Sequence, residues 1–99
     1  MKIFNYECFT TFWSDFSIAA TFGISAIKET YQRIFSEWKN DYKYLTELVI
    51  VLNHLGWDLY ETGKNEKADV FFELFREAQE YAYENLKGEE LTYFIRTTD

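Results

Sequence analysis

The only histidine of the chain lies among three carboxylates in the segment YLTELVIVLNHLGWDLYE, residues 44–61. Glu47, Asp58 and Glu61 are spaced around His54 as metal ligands or an acid–base group would be. A transition-metal site usually needs more, and this segment has no second histidine, no Glu-x-x-His pair and no cysteine. The alternative is a solvated helix face on which the His54 imidazolium contacts Asp58 one turn later.

Helix geometry favours the solvated face. At about 100° per residue, five leucines form one apolar seam: Leu45, Leu48, Leu52, Leu55 and Leu59. His54 falls nearly opposite this seam, and the three carboxylates fall within about 40° of His54. Ile50, Val51 and Trp57 flank the polar face, so the helix is apolar over most of its circumference. The pattern predicts a central helix, or one with a second contact surface. It also predicts a narrow solvated stripe with an exposed His54, and neither a metal nor a cofactor.

A second candidate site is a row of acids along a later helix. Six carboxylates fall inside an arc of about 80°: Glu66, Asp69, Glu73, Glu77, Glu80 and Glu84. This acidic ridge would be about 27 Å long, with a spacing of negative charge that resembles a strand of phosphates. The repulsion costs on the order of tenths of a kcal/mol per pair in water, so a solubilising outer face is the simpler interpretation. A functional ridge would bind a basic, DNA-binding surface of another protein.

Two sets of apolar residues share the helix with the acidic ridge. The predicted core face lies across from it and consists of Phe71, Phe72, Phe75, Ala78, Ala82 and Leu86. Val70, Leu74 and Tyr81 form a second apolar stripe beside the ridge, which would seal against a neighbouring helix or against a protein partner. The predicted protein-binding residues are therefore the six acids together with this stripe.

The third candidate is the hairpin around Gly23 in SIAATFGISAIKETYQRIF, residues 17–35. An alanine followed four residues later by a glycine resembles the helix-turn-helix pattern, with Ser25 opening a recognition helix that carries three basic residues. Against this, Glu29 occupies a position where that motif usually buries an aliphatic side chain. A plain helical hairpin would need Gly23 only for its turn.

The periodicity of the whole chain predicts one all-α domain over residues 1–99, built from four antiparallel helices with the third at the centre. The predicted helices are roughly 11–22, 25–39, 41–62 and 65–87. Glycines follow three of these runs, and the predicted N-caps are Ser25, Asp41 and Asn65. The ends, KIFNYECF and LTYFIRTT, are rich in β-branched and aromatic residues and are also compatible with a short β-ribbon that pairs the termini.

The composition indicates a single hydrophobic core and limits the expected cellular location. A chain of 99 residues with 21% aromatic residues can fill one hydrophobic core without crosslinks. Cys8 is the single cysteine, which excludes an intrachain disulfide and favours a cytoplasmic location. The amino terminus lacks the apolar segment of a signal peptide, and the longest aliphatic run, LVIVL, is far shorter than the roughly 20 residues that span a membrane.

Charge separates the two halves of the chain. The net charge is −7; residues 1–50 hold six acids and five bases, whereas residues 51–99 hold eleven acids and five bases. Nucleic-acid binders gain affinity from clustered lysine and arginine, so the acidic second half disfavours broad phosphate binding.

Three runs carry a resemblance to known proteins: FWSDFSIAATFGISAIKETY, EWKNDYKYLTELVIVLN and NLKGEELTYFIRTTD. Over nearly its whole length the chain is similar to a group of short uncharacterised proteins associated with mobile genetic elements of anaerobic gut bacteria. That resemblance implies no catalytic residues. It implies a context in which small acidic proteins act as anti-restriction or regulatory factors by binding other proteins.

The motifs therefore favour a non-enzymatic protein-interaction domain, because no nucleophile–base pair, phosphate loop or convincing metal set is present. The expected partner is another protein with a basic surface, of DNA-mimic or anti-restriction type, with no membrane involved. The alternative is a DNA-binding regulator built on the hairpin around Gly23. Neither pattern decides between a monomer and a homodimer.

Overall fold

Five α-helices make up the part of the chain that the structure describes. The computed structural model describes the backbone of residues 6–98 and the side chains of residues 11–98. The helices are α1 (Tyr6–Phe22), α2 (Ile24–Trp38), α3 (Tyr42–Glu61), α4 (Asn65–Asn85) and α5 (Glu89–Thr98). The all-α prediction is confirmed, although this part of the chain has five helices instead of four. None of the five is long and apolar enough to cross a membrane.

The fifth helix takes the place of one strand of the expected β-ribbon. Residues 91–98 lie in α5, and no strand occurs within residues 6–98, so the β-ribbon is wrong for this segment. In the other segment, residues 6–9 belong to α1 and residues 2–5 lie outside the described residues.

Local signals explain why this segment is helical. Glu89 and Glu90 occupy the first turn of α5, where the helix dipole stabilises negative charge, and they follow Gly88, whose φ of 62° suits a helix end. Phe94 and Thr97 lie one turn apart and are both buried. The β-branched and aromatic composition therefore serves a helix that buries one face against the rest of the molecule.

The predicted N-caps of α3 and α4 have different outcomes. Asp41 is confirmed, because its carboxylate accepts hydrogen bonds from the backbone N–H groups of Lys43 and Tyr44 at 3.0 and 3.3 Å. Asn65 is wrong by one residue: Lys64 is the N-cap of α4 and provides no side-chain hydrogen bond.

The hairpin between α1 and α2 has a connection of one residue. Gly23, with φ of 131°, donates its backbone N–H to Ala19 O and accepts from the N–H of Ile27, each at 3.1 Å. It thus ends α1 and begins α2, in a conformation that residues with a Cβ rarely adopt. Ser25 consequently lies inside the first turn of α2, and its prediction as the N-cap is wrong.

The third helix is central, as its apolar circumference predicts. It contacts all four other helices and packs most extensively against α4. Of the leucine seam, Leu45, Leu48, Leu52 and Leu55 are buried, and Leu59 is half-buried at the edge of the core. Gly56 lets α4 approach closely, since a Cβ there would lie 2.7 Å from the ring of Phe72.

Candidate protein-interaction surface

The face of α3 around His54 is divided into an exposed part and a buried part. His54, Asp58 and Glu61 are exposed, whereas Glu47 is only 2% exposed, so its prediction as part of a wet stripe is wrong. Residues 11–98 contain no group of three or more histidine, cysteine or acidic side chains that could hold a metal ion.

The burial of Glu47 follows from the position of α5. This helix packs against α3, where the ring of Tyr93 meets that of Tyr42 with centroids 5.2 Å apart. Burial raises the pKa of the Tyr93 hydroxyl, and the negative charge of Glu47 raises it further. A helical projection of α3 gives the direction of Glu47 correctly, but it contains no information about α5.

All six acids of the acidic ridge are exposed: Glu66, Asp69, Glu73, Glu77, Glu80 and Glu84. The opposite side of α4 contributes Phe71, Ala78 and Ala82 to the core, which fixes the ridge toward solvent. Within the part of the chain that the structure describes, none of the six forms a salt bridge; the salt bridge found there joins α1 and α2. The ridge is thus a continuous row of exposed carboxylates, with Arg76 and Lys87 at its edge.

Glu77 also lies close enough to the buried Tyr31 hydroxyl of α2 to affect its pKa. Burial raises the pKa of the Tyr31 hydroxyl strongly, and the carboxylate of Glu77 raises it further. The Tyr31 oxygen is buried and has no hydrogen-bond partner in residues 11–98. The side of α2 that faces α4 therefore includes a polar group, the Tyr31 hydroxyl, whose burial costs stability.

The second apolar stripe of α4 is covered by the chain itself. Val70 and Leu74 are each 8% exposed and belong to the core. Tyr81 is half-buried, with its ring 5.0 Å from that of Phe35 on α2. The sequence predicted that this stripe packs either against a neighbouring helix or against a protein partner. The structure shows that it packs within the chain. The prediction that Val70 and Leu74 bind a partner is wrong, because buried side chains have little surface to offer.

An exposed cluster on the other side of α4 escaped the helical projection. Trp57 and Tyr60 of α3 are 50% and 53% exposed, and Phe72 of α4 is half-buried. The Trp57 ring meets Tyr60 at 5.7 Å and Phe72 at 5.2 Å, both edge to face. We call these three residues the aromatic patch. The sequence signal was Gly56, since a glycine inside an apolar helix allows a large side chain to approach.

A further exposed aromatic lies along the same side of α4. Tyr83 is half exposed, and its ring packs edge to face against Phe94 of α5 at 5.5 Å. It follows Phe72 by 11 residues, or about 16.5 Å of helix. Phe72 and Tyr83 both lie about 40–60° from the edge of the acidic ridge. Charge and exposed aromatic surface therefore run side by side along α4.

The hairpin around Gly23 has the geometry of a plain helical hairpin. Helix-turn-helix motifs usually join their helices with a turn of three or four residues, and here one residue does so. Arg33 of the would-be recognition helix forms a salt bridge of 3.2 Å with Asp15 on α1. Glu29 is exposed, although the motif usually buries that position.

A cleft lies where α1, α3 and α4 meet. It has a volume of about 470 Å³, and its lining includes Asp58, Lys64 and Lys67. The ammonium of Lys67 donates a hydrogen bond of 2.7 Å to the carbonyl of Ala20 near the end of α1. Lys67 thereby caps a helix end, and among residues 11–98 the lining includes no histidine or cysteine that would pair with a nucleophile.

The acidic ridge with its neighbouring aromatic groups is consequently the surface best suited to a function. It combines exposed charge, exposed rings and a rigid helical support. Comparison with protein families, with curated proteins and with solved structures found no match for this chain.

Proposed function

We propose that the chain is a non-enzymatic acidic protein-interaction domain whose acidic ridge binds a basic surface of another protein. The observation that carries this proposal is the exposure of six carboxylates on one face of α4 without a salt bridge in residues 11–98. A solvated helix usually mixes both signs of charge on its surface. A row of one sign instead creates a field that attracts the opposite sign.

The chemistry of the partner follows from the density of charge. The ridge carries about one carboxylate per 5.4 Å, whereas one DNA strand carries about one phosphate per 3.4 Å of axis. It would therefore act as a partial mimic of DNA on a protein that binds DNA. The resemblance to mobile-element proteins is in keeping with a cytoplasmic accessory factor of anti-restriction type.

Exposed charges contribute more to recognition than to affinity. Single exposed ion pairs contribute roughly 0.2–1 kcal/mol, so the ridge alone would bind weakly and speed association. The partner should consequently be lost as salt rises. DNA binding through the hairpin around Gly23 is not favoured, since Arg33 is paired with Asp15 and the net charge is −7.

The test compares two variants that remove the same charge from different helices. Glu73→Gln with Glu80→Gln changes the ridge, and Glu29→Gln with Glu37→Gln changes exposed acids of α2. Each protein would be used to capture partners from the native host, with identification by mass spectrometry. We expect the α2 variant to retain the partner of the parent protein and the ridge variant to lose most of it.

Salt dependence provides the second measurement on the recovered partner. Association rates should fall as salt rises from about 0.05 to about 0.5 M, and they should fall less for the ridge variant. Equal retention by both variants would remove the ridge from the interaction. Recovery of DNA fragments in place of a protein would favour the DNA-binding alternative.

A further inference from the structure

We propose that the aromatic patch and Tyr83 anchor a basic amphipathic helix of the partner protein. Apolar side chains of that helix would contact Trp57, Tyr60 and Tyr83, while its lysine and arginine residues face the acidic ridge. This inference rests on the proposed function, because the ridge supplies the charge that selects the partner. It adds a site of apolar contact and a secondary structure for the ligand.

The exposed rings are suited to the centre of an interface. Tryptophan and tyrosine are enriched among the residues that dominate binding energy at interfaces. A single exposed aromatic residue is common on protein surfaces and does not by itself indicate an interface. Here the Trp57 ring contacts the rings of both Tyr60 and Phe72. Gly56 admits Phe72 to this position. The patch is therefore ordered before binding, which lowers the entropy lost when a partner docks.

The spacing along α4 favours a helical ligand. Phe72 and Tyr83 are 11 residues apart on one side of α4, a distance of about 16.5 Å. A second helix lying along α4 would meet both positions with apolar residues three turns apart. Such a helix would present one apolar edge to these anchors and a neighbouring edge to the ridge.

Charge complementarity selects a basic helix. Each anchor on α4 has an acid three residues before it and another directly after it: Asp69 and Glu73 around Phe72, and Glu80 and Glu84 around Tyr83. Lysine and arginine side chains bind both carboxylates and the faces of aromatic rings. A second copy of this chain is a poor occupant, since two-fold symmetry would place the same row of acids on both sides.

Arg76 would fix the position of the bound helix along α4. It is exposed and follows Phe72 by four residues, so it lies between the two anchors on the same side of α4. The described residues provide no salt bridge for it. A bound helix should carry a neutral or acidic residue opposite this position.

The experiment uses the chain of 99 residues and two synthetic peptides of about 15 residues, or four helical turns. Both contain the same lysine, leucine and alanine residues. One places its leucines along a single edge with anchors 11 residues apart, and the other scatters them. Indole N–H resonances in ¹H–¹⁵N spectra distinguish Trp57 from Trp13 and Trp38, which are half-buried. We expect the amphipathic peptide to shift Trp57 selectively and to bind more tightly than the scrambled one.

Three variants sharpen the result. Trp57→Ala should weaken binding of the amphipathic peptide about tenfold, equivalent to about 1.4 kcal/mol. Arg76→Gln should strengthen it about twofold, because a like charge is removed. Phe22→Ser is the matched control, since Phe22 is a highly exposed apolar residue in the groove between α1 and α2. It should leave the affinity unchanged.

The outcomes separate this inference from the proposed function. Equal binding of both peptides, weakened by Glu73→Gln with Glu80→Gln but not by Trp57→Ala, would overturn the inference and leave the proposed function standing. Absence of binding, or shifts in the groove between α1 and α2, would overturn the inference. Insensitivity of a bound peptide to the ridge variant would contradict both. Thermal unfolding of each variant establishes that it is folded.

Discussion

The two flanks of α4 carry similar side chains and have opposite environments. On one flank, Val70 and Leu74 are buried and Tyr81 packs against Phe35 of α2. On the other, Tyr83 is half exposed and Phe72 joins an aromatic patch that opens to solvent. Both flanks lie at similar angles from the acidic ridge. The difference teaches that neither the apolar character of a side chain nor its angular position around α4 decides its exposure. Exposure depends on whether another helix covers that side of α4.

The largest expected effect distinguishes the flanks by stability. Leu74→Ala should lower the free energy of unfolding by about 2–4 kcal/mol, because it removes buried methyl groups and leaves a cavity. Tyr60→Ala on the exposed side should cost less than about 1.5 kcal/mol, since half of that side chain already contacts water. Chemical denaturation of both variants measures the contrast. Similar losses would mean that the two sides are equally packed.

A smaller effect is expected at Tyr31, where α2 covers α4. Tyr31→Phe removes a buried hydroxyl without a partner in residues 11–98 and should stabilise the fold by about 1 kcal/mol at neutral pH. The gain should increase above pH about 10. There the raised folded-state pKa of Tyr31 makes the unfolded chain lose its proton first, so the parent protein loses up to about 1.4 kcal/mol per pH unit.

Denaturation of the Tyr31→Phe variant and its parent across pH 7–11 measures this difference. A parallel pH dependence of the two proteins would show that Tyr31 keeps an ordinary environment. A less stable phenylalanine variant would mean that its hydroxyl contributes a favourable contact.

The ridge between the flanks should respond weakly. Replacing Glu73, Glu77, Glu80 and Glu84 together by glutamine keeps shape and helix propensity nearly unchanged and relieves repulsion of tenths of a kcal/mol per pair. The variant should be as stable as its parent or up to about 1 kcal/mol more stable. Thermal unfolding at low and high salt measures it, and the gain should shrink at high salt. Strong destabilisation would contradict the exposure of these side chains.

The smallest net effect is expected for Gly56→Ala. Alanine adds about 1 kcal/mol of helix propensity, but its Cβ would lie 2.7 Å from the Phe72 ring and displace it. The two effects should nearly cancel in the free energy of unfolding. The displaced ring should still alter the indole N–H resonance of Trp57, which packs against it. An unchanged resonance would show that Gly56 does not order the aromatic patch.

Local sequence features predicted much of the helical framework. The apolar circumference of α3 predicted its central position, because the leucine seam together with Ile50, Val51 and Trp57 leaves only a narrow polar stripe. Asp41 was recognisable as an N-cap because its hydrogen bonds reach residues two and three positions later. Gly88 was interpreted only as the glycine that ends the fourth helix, although it and two acids also precede the rest of α5. That helix was missed because its residues equally suit a strand and ten residues are marginal for an isolated helix.

The sequence by itself determined the helical periods, the leucine seam and the direction of the acidic ridge, because these depend on residues within a few turns of one another. Only the tertiary structure decided which helix, if any, packs against each face of α3 and α4. Glu47 is buried because α5 packs on α3, and Tyr81 is half-buried because its ring packs against Phe35 of α2. Trp57 remains half exposed beside Phe72. Burial is a property of contacts between distant segments, and no single helix contains that information.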